Sequence, residues 1–278
     1  MKQLFSLFPI ADHYDAILMD LWGVVHDGSQ LYPGVRGALE NLHKQNKSVI
    51  MLSNAPRRAF KAEIVLKRLG IPAEWYKAVV TSGEVGYQWI KDGKSSWGKR
   101  FYYIGPEGTR EWTDADILDG LDYTRVPALK DTDFLLNVGF GSEHESPGSW
   151  HNLLSVAKDA GLPMLCLNPD FEVVKITGER YACAGVLAAD YEGMGGTVKY
   201  FGKPFGDVYK HCLGMLHTSK KRILAIGDGI ATDIAGATNF GIDSVLVTGG
   251  IIKKSDNVEE LCRKYNAVPN YVMPQLAW

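Results

Sequence analysis

The sequence predicts an α/β fold: a mostly parallel, doubly wound sheet interrupted by a second α/β unit. Three observations lead there. Short apolar runs alternate with amphipathic stretches along most of the chain, the pattern of repeated strand–helix–strand units. The runs are apolar at consecutive positions, as strands buried on both faces require. Polar residues gather just past some runs and not others, which separates parts that carry chemistry from a part that does not.

The first run, Ala16-Ile17-Leu18-Met19-Asp20-Leu21-Trp22-Gly23, reads as a buried strand stopping in a glycine turn. A helix is expected over 35–45 and a strand over 48–53, closed by Ser53-Asn54. The helix over 57–69 ends at Gly70, where a left-handed cap favours glycine. A strand over 78–82 and a helix over 83–91 follow. Strands over 101–105, 134–139 and 163–168 come next, with a helix over 150–160 capped by Gly161. The last third repeats the alternation: strand 197–202, helix 205–216, strand 223–228, helix 230–240, strand 244–249.

Ligands of open α/β sheets bind beyond the carboxyl ends of the strands. Asp20, Ser53-Asn54, Lys203 and Asp228 all stand at such ends, whereas only Gly105-Pro106 follows the run at 101–105. The economical division is a catalytic core from 1–94 and 197–278, with 95–196 inserted as an α/β domain. Asp92-Gly93-Lys94-Ser95-Ser96 and Gly193-Met194-Gly195-Gly196 suit hinges at the two junctions.

A formal net charge of −2 gives no electrostatic footprint for nucleic acid or an anionic membrane. The apolar runs are too short for a spanning helix. Gln3, Ser6 and Asp12 interrupt the amino-terminal stretch and no small-residue cleavage site follows, so no signal peptide is expected. Four cysteines without C-x-x-C spacing read as buried thiols of a reducing, cytoplasmic compartment. Glu143-His144-Glu145 lacks a second histidine at metal-binding spacing and reads as a solvated loop. Trp75, Trp89, Trp97, Trp112 and Trp150 read as packing or interface residues rather than a ligand cage.

Phosphoryl transfer through a carboxylate needs a nucleophile, a divalent cation, donors for the moving oxygens and a fixed positive charge. Each has a strand-end candidate. Asp20 would be nucleophile and metal ligand, and Asp228 a second carboxylate to Mg²⁺, which prefers oxygen ligands. Ser53 and the Asn54 N–H would hold a phosphoryl oxygen, although Ser53-Asn54 also suits a helix N-cap. Lys203 would offset the clustered negative charge. Asp233 would orient a metal-bound water or Lys203 from outside the ligand shell.

This set, in this order, resembles the haloacid dehalogenase superfamily of aspartate-nucleophile hydrolases. The matching motifs are Asp20-x-x-Gly23, Val49-Ile50-Met51-Leu52-Ser53-Asn54, Gly202-Lys203-Pro204 and Gly227-Asp228-x-x-x-Thr232-Asp233. It is most similar to the class IIA phosphatases, which include nucleotide, p-nitrophenyl phosphate and pyridoxal phosphate phosphatases. Gly28-x-x-x-Tyr32-Pro33-Gly34, Asn168-Pro169-Asp170 and Leu246-Val247-Thr248-Gly249-Gly250 carry that likeness. The resemblance implies a Rossmann-like core, a large α/β cap that closes over the site, Mg²⁺ dependence and an aspartyl-phosphate intermediate. It implies metal contacts from Asp20, Asp228 and the Trp22 carbonyl. It also implies substrate contacts from Trp22, Gly23, Ser53, Asn54, Asn168 and Asp170. A cap face could support a homodimer, as in some members.

One position departs from the pattern. Phosphatases of this family carry Asp two residues after the nucleophile, where it protonates the leaving oxygen and then activates water. Here that residue is Trp22, and indole exchanges no proton at neutral pH. His26 and Asp27 on the following flap are candidate substitutes. The leading expectation is a Mg²⁺-dependent hydrolase of a small phosphorylated metabolite. The alternative is a catalytically impaired phosphometabolite-binding or regulatory protein.

Overall fold

The computed structural model describes residues 1–107, 116–142 and 145–278. Trp112 and Glu143-His144 lie outside the described residues. The strands in chain order are β1 (Lys2–Gln3), β2 (Ala16–Met19), β3 (Ser48–Ser53), β4 (Ala78–Thr81), β5 (Arg100–Ile104), β6 (Thr124–Arg125), β7 (Phe134–Asn137), β8 (Met164–Cys166), β9 (Glu172–Val174), β10 (Arg180–Ala182), β11 (Val198–Tyr200), β12 (Ile223–Gly227), β13 (Asp243–Val247) and β14 (Tyr271–Met273). A large sheet runs β1-β14-β13-β12-β2-β3-β4 and a smaller one β11-β8-β7-β5-β6. Both are parallel throughout. Strands β9 and β10 form a separate antiparallel hairpin.

Why the strands read as unbroken apolar runs is visible in β2, which is buried at every position. Ile17 and Met19 enter one apolar cluster with Leu39, Leu42 and Leu66 of the helices Val35–Lys44 and Ala59–Arg68. Ala16 and Leu18 enter the other, with Val208 and Cys212 of the helix Gly206–Gly214. Successive side chains thus feed two cores, and burying each large one is worth about 1.5–3 kcal/mol. The second core does not stop at the large sheet. It continues through Phe101, Phe134 and Leu165 of the small one, so an apolar seam joins the two. Phe201 stands on that seam, its ring centroid 5.5 Å from that of Trp89.

The return crossing lies later than the 196/197 junction expected from sequence. Val198–Tyr200 pairs with Met164–Cys166 in the small sheet, so the chain rejoins the large sheet only beyond Phe201. The glycine-rich segment is the end of the helix Ala184–Gly193, with Gly195 N–H and Gly196 N–H closing onto Glu192 and Tyr191 carbonyls. Glycine there ends a helix rather than forming a hinge.

Parallel order then sets the site. Strands β12, β2 and β3 are neighbours, with Met19 paired to Met51 and to Ile226, so their carboxyl ends lie side by side. The carboxyl ends of β8 and β11 approach from the small sheet, bringing Asp170 and Lys203. Among the described residues, no helix is long and apolar enough to cross a membrane.

Candidate active site

Asp20 follows β2 directly, and its N–H donates to the Ile226 carbonyl at 2.8 Å. That bond holds it between the ends of β3 and β12. The buried Lys203 ammonium donates to the Asp20 carboxylate, to Asp233 Oδ1 at 2.8 Å and to the Leu52 carbonyl at 3.2 Å. Burial favours the neutral amine, but the carboxylates of Asp20, Asp233 and Asp170 outweigh it and hold the lysine pKa well above its ordinary value. Burial drives the Asp20 pKa upward; Lys203 opposes the rise, and Asp233 and Asp228 add to it.

Asp228 follows β12 and accepts a hydrogen bond from Ile251 N–H at 2.7 Å on Oδ2. Two glycines make room for it. A Cβ on Gly23 would lie 1.9 Å from Asp228 Oδ2, and one on Gly250 would lie 2.0 Å from it. Gly23 also has φ +89°, a conformation other residues adopt only under strain. Asp233 sits in a π-helical turn, Ile230–Ile234. Its Oδ1 receives Lys203, and its Oδ2 receives Gly229 N–H at 3.1 Å.

Carboxylate oxygens of Asp20, Asp228 and Asp233 lie within 4.8 Å of one another. Three buried carboxylates share one ammonium, so their full ionisation would leave two negative charges uncompensated. Burial, with Asp233 adding, lifts the Asp228 pKa to about 7. Hard oxygen donors and surplus negative charge are what a divalent cation such as Mg²⁺ fits.

A chamber of about 40 Å³ contains this cluster. Of the residues singled out from sequence, Asp20, Trp22, Ser53, Asn54, Asp170, Lys203, Asp228 and Asp233 all line it. A larger cavity of about 280 Å³ adjoins it. Trp22, Ser53, Asn54, Asp170 and Val173 belong to both and form the boundary between them. Asn168 lines only the larger cavity, and its Oδ1 receives Asp170 N–H at 3.1 Å, shaping the turn. Asn54 ties the two sheets together. Its Nδ2 donates to Asp170 Oδ1 at 2.8 Å and to the Lys203 carbonyl at 3.0 Å, and its Oδ1 receives Lys203 N–H at 2.7 Å. Burial raises the Asp170 pKa to about 6, opposed by Lys203 and by Asn54.

The hairpin β9–β10 contributes residues that sequence reasoning missed. Glu172, Val173 and Val174 roof the chamber. Trp22 Nε1–H donates to the Val174 carbonyl at 2.7 Å, Ile176 N–H to Asp27 Oδ2 at 3.3 Å, and Arg180 Nη2 to the Ile251 carbonyl at 3.0 Å. Strand-like residues around Thr177-Gly178 signal a hairpin. Nothing local says what it covers.

The two flap candidates for proton exchange are engaged elsewhere. His26 lines the larger cavity and not the chamber. Its Nδ1 accepts Gly28 N–H at 2.9 Å, and burial, with Arg57 nearby, pushes its pKa down to about 4. Asp27 Oδ1 accepts from Ser29 N–H, Ser29 Oγ and Gln30 N–H, and its Oδ2 holds Ile176. This loop needs both side chains to satisfy its own backbone.

The haloacid dehalogenase-like hydrolase profile matches residues 17–116, and a second, HAD-hydrolase-like, matches residues 200–278. The chain is 26% identical over 274 residues to dihydroxyacetone phosphatase from Corynebacterium glutamicum (strain R), covering 94% of this chain and 88% of that one. It superposes on the crystal structure of a hydrolase of the haloacid dehalogenase-like family from Brucella suis 1330 with a TM-score of 0.86 and 31% identity, covering 99% and 100% of the two chains. Glycerol phosphate phosphatase from Mycobacterium tuberculosis, in complex with magnesium, gives a TM-score of 0.67 at 24% identity, covering 95% and 75%.

Proposed function

The chain belongs to the haloacid dehalogenase-like hydrolase family, and we propose from that premise that it is a Mg²⁺-dependent hydrolase of a small phosphorylated metabolite with Asp20 as nucleophile. One observation carries the reading: Lys203 donates at once to Asp20 and Asp233 inside the chamber. An Asp20 oxygen attacks phosphorus, the bond to the leaving oxygen breaks, and an aspartyl phosphate forms. Water then attacks phosphorus and returns the Asp20 carboxylate. The Ser53 hydroxyl and Asn54 N–H hold a phosphoryl oxygen, and Lys203 offsets the negative charge brought together in the first step.

Asp20, Asp228 and the Trp22 carbonyl would hold Mg²⁺, which supplies positive charge against the phosphoryl oxygens when bound. Asp233, with both oxygens engaged by Lys203 and Gly229, acts from outside that shell. The small-sheet unit serves as the cap, and the 280 Å³ cavity takes the leaving group. Its size suits a small metabolite, in keeping with relatives named for triose and sugar phosphates. The test is phosphate release from a panel of phosphometabolites with and without Mg²⁺, using Asp20→Asn as control. Release that needs both Mg²⁺ and Asp20 supports the reading. A silent panel would favour a phosphometabolite-binding protein.

A further inference from the structure

The reaction needs a proton donor for its leaving oxygen, and Trp22 cannot be one. Such a donor must reach both the chamber, where the bond breaks, and the larger cavity, where the leaving group sits. Among the described residues, Asp170 is the one carboxyl that lines both. Glu172 lines the chamber but not the larger cavity and pairs with Arg180 at 2.6 Å. We infer that Asp170, reaching in from the small sheet, is the general acid–base of this site and replaces the group that Trp22 displaces. This rests on the hydrolase reading above.

The carboxyl is held for the task. Oδ1 receives Asn54 Nδ2 at 2.8 Å, and the turn behind it is fixed by Asn168. Oδ2 has no hydrogen-bond partner among the described residues, and the residue lines both cavities. The titratable groups whose charge it feels, or which feel its own, are Lys203, Asp228, Asp233 and the thiols of Cys166 and Cys183. A carboxyl whose pKa stands at about 6 keeps a protonated fraction near neutrality.

The steps balance. As Asp20 bonds to phosphorus and the bond to the leaving oxygen breaks, the Asp170 proton passes to that oxygen. Asp170 carboxylate then takes a proton from the water that attacks the aspartyl phosphate. Inorganic phosphate leaves, Asp20 is a free carboxylate again, and Asp170 is again protonated.

Glycerol 3-phosphate, with a poor leaving group, and acetyl phosphate, with a good one, are the probes. Both should release phosphate with the wild-type chain and Mg²⁺. Asp170→Asn keeps an acceptor for Asn54 but removes the exchangeable proton. It should lower the ratio of glycerol 3-phosphate to acetyl phosphate kcat/KM, which reports the step with the acid and not the shared hydrolysis of the aspartyl phosphate, by at least about 10²-fold, and Asp170→Glu should recover part of it. An unchanged ratio, including equal loss on both probes, overturns the assignment and leaves the hydrolase reading standing. Wild-type turnover of acetyl phosphate alone does the same, because no acid would then be at work. Release from neither probe also overturns this assignment, and release surviving Asp20→Asn sinks the hydrolase reading with it.

Discussion

The Trp22 indole N–H donates to the Val174 carbonyl at 2.7 Å, joining the loop after the nucleophile to a hairpin 152 positions away. The residue that departs from the family pattern is therefore a tie between the large sheet's first loop and the hairpin, as well as a wall between the two cavities. Trp22→Phe keeps an aromatic wall and removes the tie. It should cost about 1 kcal/mol and speed amide exchange across 173–176. Exchange there at the wild-type rate would show that the tie does not hold the hairpin down.

Asn54→Ala should be more damaging. It removes three hydrogen bonds that link Asn54 to Asp170 and to the Lys203 backbone. A buried donor or acceptor left without a partner costs about 1–3 kcal/mol, so a loss of about 2 kcal/mol or more is expected. Urea unfolding would read it as a lower midpoint at unchanged slope. Turnover should fall as well, since Lys203 loses its backbone anchor. A variant with wild-type midpoint and rate would refute this role.

The three clustered carboxylates predict stabilisation by Mg²⁺. Binding to the folded state alone adds about 2.7 kcal/mol when Mg²⁺ is at 100 times its Kd. Calorimetry should show Tm rising with Mg²⁺ in the wild type. The rise should be largely lost in Asp228→Asn and in Gly23→Ala, whose new methyl would fall 1.9 Å from Asp228 Oδ2. An undiminished response in both variants would place the ion elsewhere.

Glu84 gives a pH prediction away from the site. It pairs with Arg58 at 2.7 Å and accepts Ala59 N–H at 3.1 Å, capping the helix Ala59–Arg68. Burial pushes its pKa up, but Arg58, Gln88 and Ala59 N–H outweigh it, and the net shift is downward from 4.5. The folded state thus binds the proton less readily than the unfolded one. The stabilisation is complete above pH 4.5 and fades as pH falls through the lower folded value. Glu84→Gln should lower Tm at pH 7 by an amount that shrinks on acidification below 4.5. A difference independent of pH would mean that the loss is one of packing.

The strands were legible because burial on both faces leaves a local signature, as Ile17 to Met19 illustrate. Asp20, Ser53 and Asp228 were legible because parallel strands end on one side. Edge strands β1 and β6 were not, since two residues carry no period. Glycine-rich Gly193–Gly196 misled about the crossing, because a helix cap and a hinge favour the same residue.

By itself, the sequence determined a parallel α/β architecture and a set of strand-end residues suited to phosphoryl transfer. Composition and periodicity act over a few neighbouring residues, and they suffice for that much. Only the tertiary structure decided that Asp170 lines both cavities, that Trp22 is pinned to Val174, and that His26 holds its own loop while Asp27 holds that loop and Ile176 of the hairpin. Those outcomes depend on contacts between segments more than 100 positions apart, or on which neighbour claims a side chain's hydrogen bonds. Such contacts are set by how the two sheets meet across their shared apolar seam, which no local pattern records.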